Sequence, residues 1–408
     1  MKHANRLIAA IAVYAILINV CAVFAQDWPQ WRGTNRDGKV AGFEVPAKWP
    51  TELTQKWKVT VGTGDATPAL VDDKLYVFTR QDADEVIRCL DAGSGKELWQ
   101  DRYAAQAVTG PARSHPGPRS SPTVSDGKVF TLGVGGILSC LEIGTGKVVW
   151  RKDEFTKAVP QYFTGMSPII VDKMCVAHLG GKDNGEIIAF DLATGKEKWK
   201  WTGDGPAYAS PVLLTVEDTK QVVVQTEKNI VSIDVADGGL LWQVPTPLQK
   251  RFYNCATPIV DGQTVIYTGQ GQGTMAVTVQ KQGNSFNVKE LWSNEELGTA
   301  YNTPVLKDGL LFGLSDRGRL YCMNASTGQI AWTDDTSHKN FGALLNAGSV
   351  ILALPSESEL IAFKPSGKEY GELARIKVAD TPVYAHPVIG GNIIYVKDNE
   401  TLTMWTIE

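Results

Sequence analysis

A Trp that returns every 40–51 residues, in most copies behind a tight-turn motif, constrains this chain more than anything else in it. Such a period means one supersecondary unit stacked many times. Each copy is an acidic or amide residue, a turn ending in Gly, and a Trp eight residues after the start. The copies are Asp91 to Gly95 to Trp99, Glu142 to Gly146 to Trp150, Asp191 to Gly195 to Trp199, Asp234 to Gly238 to Trp242 and Asn324 to Gly328 to Trp332. Trp57 and Trp292 fall in step with them. Asp or Asn bonds its own backbone two residues on, and Gly supplies a positive φ, so each copy is a turn between strands. The Trp then opens a strand and is large enough to fill a gap between neighbouring units.

A second motif runs in phase: Ser or Thr, Pro, two apolar residues, a short turn and an apolar strand. It occurs at Thr67-Pro68, Ser121-Pro122, Ser167-Pro168, Ser210-Pro211, Thr257-Pro258 and Thr303-Pro304, with His386-Pro387 as a variant. Pro is tolerated at the first residue of a strand, so each copy opens a new blade. Between the motifs lie alternating runs such as Leu75–Phe78, Val129–Leu132 and Val265–Tyr267, which read as strands. The expected fold is an all-β propeller. A degenerate seventh unit without the Trp spans about 341–368. The last unit, His386 to Ile407, holds three strands, and Leu53–Val59 supplies its fourth from the other end of the chain. That closure gives eight blades and removes open sheet edges; seven remain an alternative if the degenerate unit is misread.

The 408 residues carry a formal net charge of −4 and no run of five like charges, which argues against a nucleic-acid partner. Lys2, His3 and Arg6 precede an apolar stretch from Leu7 to Phe24, and Val23-Phe24-Ala25 offers a cleavage site. Residues 1–25 therefore read as a secretory signal peptide, the alternative being an uncleaved membrane anchor. Cys21 lacks the small preceding residue of a lipidation site. After cleavage no transmembrane segment is expected, and the product is an exported periplasmic or cell-envelope monomer. Its extension, residues 26–52, precedes a single propeller domain over 53–408. The remaining cysteines, Cys89, Cys140, Cys175, Cys255 and Cys322, are odd in number. Three share one repeat position, where separate blades hold them too far apart to pair, and they read as small buried hydrophobes.

The turn-to-Trp signature resembles the docking motif of the quinoprotein-like repeat family, over nearly all of the chain from Trp57 to Trp405. It lacks the Gly-His and Trp-Asp marks of WD40 blades. That family contains dehydrogenases using pyrroloquinoline quinone (PQQ) and non-enzymatic propellers similar to the outer-membrane assembly factor BamB. The segment Asp27-Trp-Pro-Gln-Trp-Arg-Gly33, followed by Asn35-Arg-Asp-Gly38, looks like the start of exported propellers of the second kind. It could be a plug across the propeller or a tether. The resemblance implies a binding or scaffolding module for an envelope protein or peptide, with no cofactor. The alternative it implies is a PQQ- and calcium-dependent dehydrogenase of alcohols or sugars. No Cys-Cys dipeptide and no EF-hand-like spacing support that alternative, and Gly-x-Ser-x-Gly, His-Glu-x-x-His and P-loop motifs are missing.

Residues three positions before each Pro should line the central funnel: Asp65, Arg119, Gly165, Tyr208, Cys255, Tyr301 and Tyr384. Loops between second and third strands open on the same face and should bring Asp82, Asp84, Asp183, Asn184, Asp316 and Arg317 to the rim. His115, Arg113 and Arg119 lie in the longest inter-blade loop, Gln100 to Ser120. From these positions Asp65, His115, Arg119, Tyr208, Tyr301, Tyr384, Asp183, Asn184, Asp316 and Arg317 form the candidate small-ligand or peptide site. Capping of the funnel mouth explains the same tyrosines and charges without any ligand.

Overall fold

Each repeat folds into a four-stranded antiparallel sheet, and eight such sheets stand around one axis. The computed structural model describes residues 27–246 and 254–408; the leader read over 1–25 and Cys21 lie outside them. Blades 1 to 7 begin at Ala69, Thr123, Ile169, Val212, Ile259, Val305 and Gly342. Blade 8 combines three strands between Val388 and Thr406 with Thr54–Thr60, which pairs antiparallel with Thr401–Thr406. Eight is therefore the blade count, closed as its two ends predict. The degenerate unit extends past residue 368 to Lys377, where Ala374 faces Ala362 as Trp332 faces Cys322 in blade 6. Among the described residues one 3-10 turn, Gly110–Ala112, interrupts the strands.

The repeated Trp is a clasp between blades. Its indole N–H donates to the carbonyl just inside the next blade's turn: Trp57 to Ala92, Trp99 to Ile143, Trp150 to Leu192, Trp199 to Val235 and Trp292 to Ala325, at 2.8–3.1 Å. The ring lies on that turn's Gly. A Cβ on Gly146 would stand 2.4 Å from the Trp99 ring, at a φ of +71°, so both space and backbone demand glycine. Trp242 departs from the rule. Blade 5 has a long hairpin, Gly273–Gln282 with Ser285–Asn294, in place of the docking turn, and Trp242 donates to Gln221 of its own blade.

The Ser/Thr before each Pro has a role beyond starting the strand. Its hydroxyl accepts the N–H of the matching residue one blade back: His386 to Thr67, Thr67 to Ser121, Ser121 to Ser167, Ser167 to Ser210 and Thr257 to Thr303. Blade 7 has Phe341-Gly342 there instead, and a parallel bridge between Tyr301 and Phe341 joins it to blade 6. Of the five cysteines among the described residues, four are buried and all five are free thiols.

Of the two roles open to the leading segment, the structure takes the plug. Residues 28–40 touch all eight blades. Trp28 pairs with Leu70, Pro29 accepts from Val124 N, and Gly38 and Val40 bond Asn346. The Trp31 indole donates to Thr257 Oγ1 at 2.9 Å, and its ring meets His386 at 4.6 Å. Arg36 donates to the carbonyls of Ser167, Pro168 and Pro211, and Arg32 to those of Thr303 and Pro304. Both arginines are buried, 1% and 4% exposed, and their hydrogen bonds go to carbonyl and amide oxygens without a carboxylate. Burial accordingly pushes Arg32 down to about 10 and Arg36 to about 9.

Replacing Arg36 by Met keeps the stem and strands three buried carbonyls. The expected loss is about 1–3 kcal/mol for each group left without a donor, read as a lower urea midpoint at unchanged slope.

Candidate functional site

The short inner strands converge at one end of the channel, and the residues that precede them form a cup. Its cavity of about 360 Å³ is lined by all seven positions predicted from the Pro spacing, Asp65, Arg119, Gly165, Tyr208, Cys255, Tyr301 and Tyr384. His115 joins them from the long inter-blade loop. Six of the ten candidate site residues are therefore together. Asp183, Asn184, Asp316 and Arg317, expected at the rim, lie outside the lining: Asp183 pairs with Lys228 at 2.6 Å, and Asp316 accepts from Gly271 N. Asp82, Asp84 and Arg113 also stay outside, with Asp84 paired to Arg102.

The sequence reading missed Trp31, Tyr162, Phe341 and His386, all of which line the cup. Phe341 holds the eighth ring position, hidden because no Pro follows it. Trp31 comes from the plug and, with His386, closes the floor.

The walls are rings in mutual contact. Tyr301 stacks on Phe341 at 4.1 Å and 10°, while Tyr384 meets Phe341 and His115 edge-on at 5.2 and 4.7 Å. Asp65 Oδ2 lies 2.7 Å from His115 Nδ1. Arg119 donates to the carbonyls of Tyr162 and His115 at 2.7 and 2.8 Å, so it ties the long loop to blade 3's entry. Burial lowers its pKa, with Asp65 the largest opposing influence. Tyr208 OH accepts from Tyr162 N at 3.0 Å. Burial drives His386 well below the usual histidine range, and the nearby Arg32 charge lowers it further; its imidazole is neutral. Among the described residues no three His, Cys, Asp or Glu side chains converge on a metal-sized site.

The repeat coincides with that of a known family. The family model for the outer membrane protein assembly factor BamB matches residues 83–334 and 288–407. The chain belongs to that family. A BamB of Burkholderia pseudomallei is 23% identical over 359 residues, covering 85% of each chain. Among solved structures, BamB from Moraxella catarrhalis superposes with a TM-score of 0.64 at 14% identity, over 87% of this chain and 98% of that one. Quinohemoprotein alcohol dehydrogenase from Comamonas testosteroni gives 0.70 at 15% identity, over 93% and 80%. At these identities the structural likenesses establish the propeller alone.

In this BamB-family chain the cup is pinned from outside by Lys397. Its buried ammonium donates to the carbonyls of Gly64, Asp398 and Asn399 at 2.9, 2.8 and 3.2 Å, fixing the turn that carries Asp65 across the closing seam. Burial lowers its pKa to about 8. A base held below its unfolded value binds fewer protons in the native state, so its contribution to stability rises with pH between about 8 and the ordinary lysine value. The stability of the wild type relative to Lys397→Met should therefore increase across that window. Urea titrations of both proteins from pH 7 to 10 measure it, and a flat difference would contradict this assignment.

Proposed function

We propose that this protein is an exported, non-enzymatic binding module that scaffolds cell-envelope polypeptides, working as a monomer through the cup at the funnel end. The observation that carries the reading is the cup itself. Side chains from seven of the eight ring positions, aromatic at four of them, converge on one closed-floored cavity, in a chain whose family is that of an envelope assembly factor. Rings and a few placed polar groups make contact area at small entropic cost, as peptide-binding surfaces require. No helix among the described residues is long and apolar enough to cross a membrane.

A PQQ- and calcium-dependent enzyme is a poor match for these residues. Among the described residues the cavity wall offers one cysteine, Cys255, whose thiol burial pushes up to about 12, and one guanidinium, Arg119. Among the described residues no cluster of carboxylates faces it to hold calcium.

Crosslinking in intact cells followed by purification should recover outer-membrane assembly proteins with the wild type. Combining Tyr208→Ala, Tyr301→Ala and Arg119→Ala should reduce that recovery at least tenfold while the thermal midpoint still reports a folded propeller. Undiminished recovery would remove the cup as the binding site. Titrating PQQ with and without calcium should leave the midpoint unmoved, since a native-state ligand must raise it; a saturable rise would restore the dehydrogenase reading.

A further inference from the structure

The reading above leaves the chemistry of the bound polypeptide open, and the charges around the cup narrow it. Among the described residues Arg119 is the one cationic side chain in the wall. A guanidinium has five N–H donors. The carbonyls of Tyr162 and His115 occupy two of these, leaving Nε and one N–H on each terminal nitrogen. Beneath the floor lie Arg32 and Arg36, held by neutral oxygens. Asp37, whose charge opposes the lowering of Arg32, pairs with Lys39 at 3.4 Å. The field of Arg32 reaches His386 in the floor.

Opposing charge is already committed. Asp65 is bonded to His115 and has the buried Lys397 ammonium nearby. Glu85, close to Arg119, accepts from Tyr103 OH at 2.6 Å and Val134 N at 2.8 Å. Arg119 in the wall and Arg32 beneath the floor thus act on a low-dielectric cavity whose lining presents one tethered carboxylate among the described residues, and the balance favours an anion.

Shape restricts the anion. The plug closes the floor with Trp31, so a polypeptide cannot thread through and can enter only by an end or a side chain. Acidic side chains bring charge without an apolar body to cover the rings. A chain terminus brings both: a carboxylate and, beside it, the last side chain.

Resting on the polypeptide-binding reading, we propose that the cup captures the C-terminus of a polypeptide, Arg119 taking the terminal carboxylate and the Tyr301, Phe341 and Tyr384 rings covering an apolar last side chain. Arg119 is then the residue that decides for a free terminus, and Trp31 sets how deep the last residue sits.

Two synthetic decapeptides of one sequence ending in leucine, one with a free C-terminal carboxylate and one amidated, test this by calorimetric titration of the full protein. The free acid should bind at least tenfold tighter than the amide. Arg119→Met should bring the acid down to the amide's affinity, Arg119→Lys should restore part of the difference, and unfolding midpoints should show that both variants fold. Equal binding of acid and amide, or binding of neither, overturns the inference. The crosslinking result separates the two levels. If partners are still lost with the triple variant, the cup binds polypeptide by another feature; if they are retained, the cup reading itself has failed.

Discussion

At the axis of a propeller every blade presents the free edge of its innermost strand, and those carbonyls must find donors. Here the donors are supplied by the chain's own leading segment. Two guanidiniums satisfy carbonyls on blades 3, 4 and 6, and backbone bridges satisfy blades 1 and 7. Burying two cations without a counterion is costly. It is tolerable because inner-strand carbonyl dipoles point at them from several sides, and a fork of five donors suits such a ring better than a single ammonium would. Eight separate sheets thereby acquire a common centre.

Around that centre the blades are joined at two radii. Near the axis the Ser/Thr hydroxyls link neighbouring inner strands, and at the periphery Trp57, Trp99, Trp150, Trp199 and Trp292 each lie on the next blade's glycine. Both linkages were written in the sequence as periodic residues, so the fold class, the blade count and the closing strand could be read there. The purpose of the Ser/Thr could not, because its partner is the same residue one blade away and only the closed ring brings them together. Trp242 shows the opposite failure. Its motif is intact, but the docking turn it needs belongs to blade 5, which spends those residues on a longer hairpin.

The candidate site divides along the same physical line. The position three residues before each Pro is fixed by the inner strand that follows, so periodicity predicted its place at the axis. Loops between second and third strands open at the same end but start farther from the axis. Their charges, Asp183 and Asp316 among them, meet neighbouring blades rather than the cup. Phe341 was invisible for want of a Pro. Trp31 was invisible because nothing aperiodic in residues 27–40 says which blade each side chain will reach.

Scaffold and site share the plug. Arg32 and Arg36 hold it from below, Trp31 closes the cup from within it, and the uncompensated charge of the two arginines lies under the floor. The eight ring positions carry little of this load. Asp65, Arg119, Gly165, Tyr208, Cys255, Tyr301, Phe341 and Tyr384 differ in chemistry although seven of them precede a similar motif. A ring position can therefore change without loosening the clasps, whereas a change in the plug alters the support and the electrostatics of the cup together. The cup is thus built from seven side chains of differing chemistry above and one positively charged insert below.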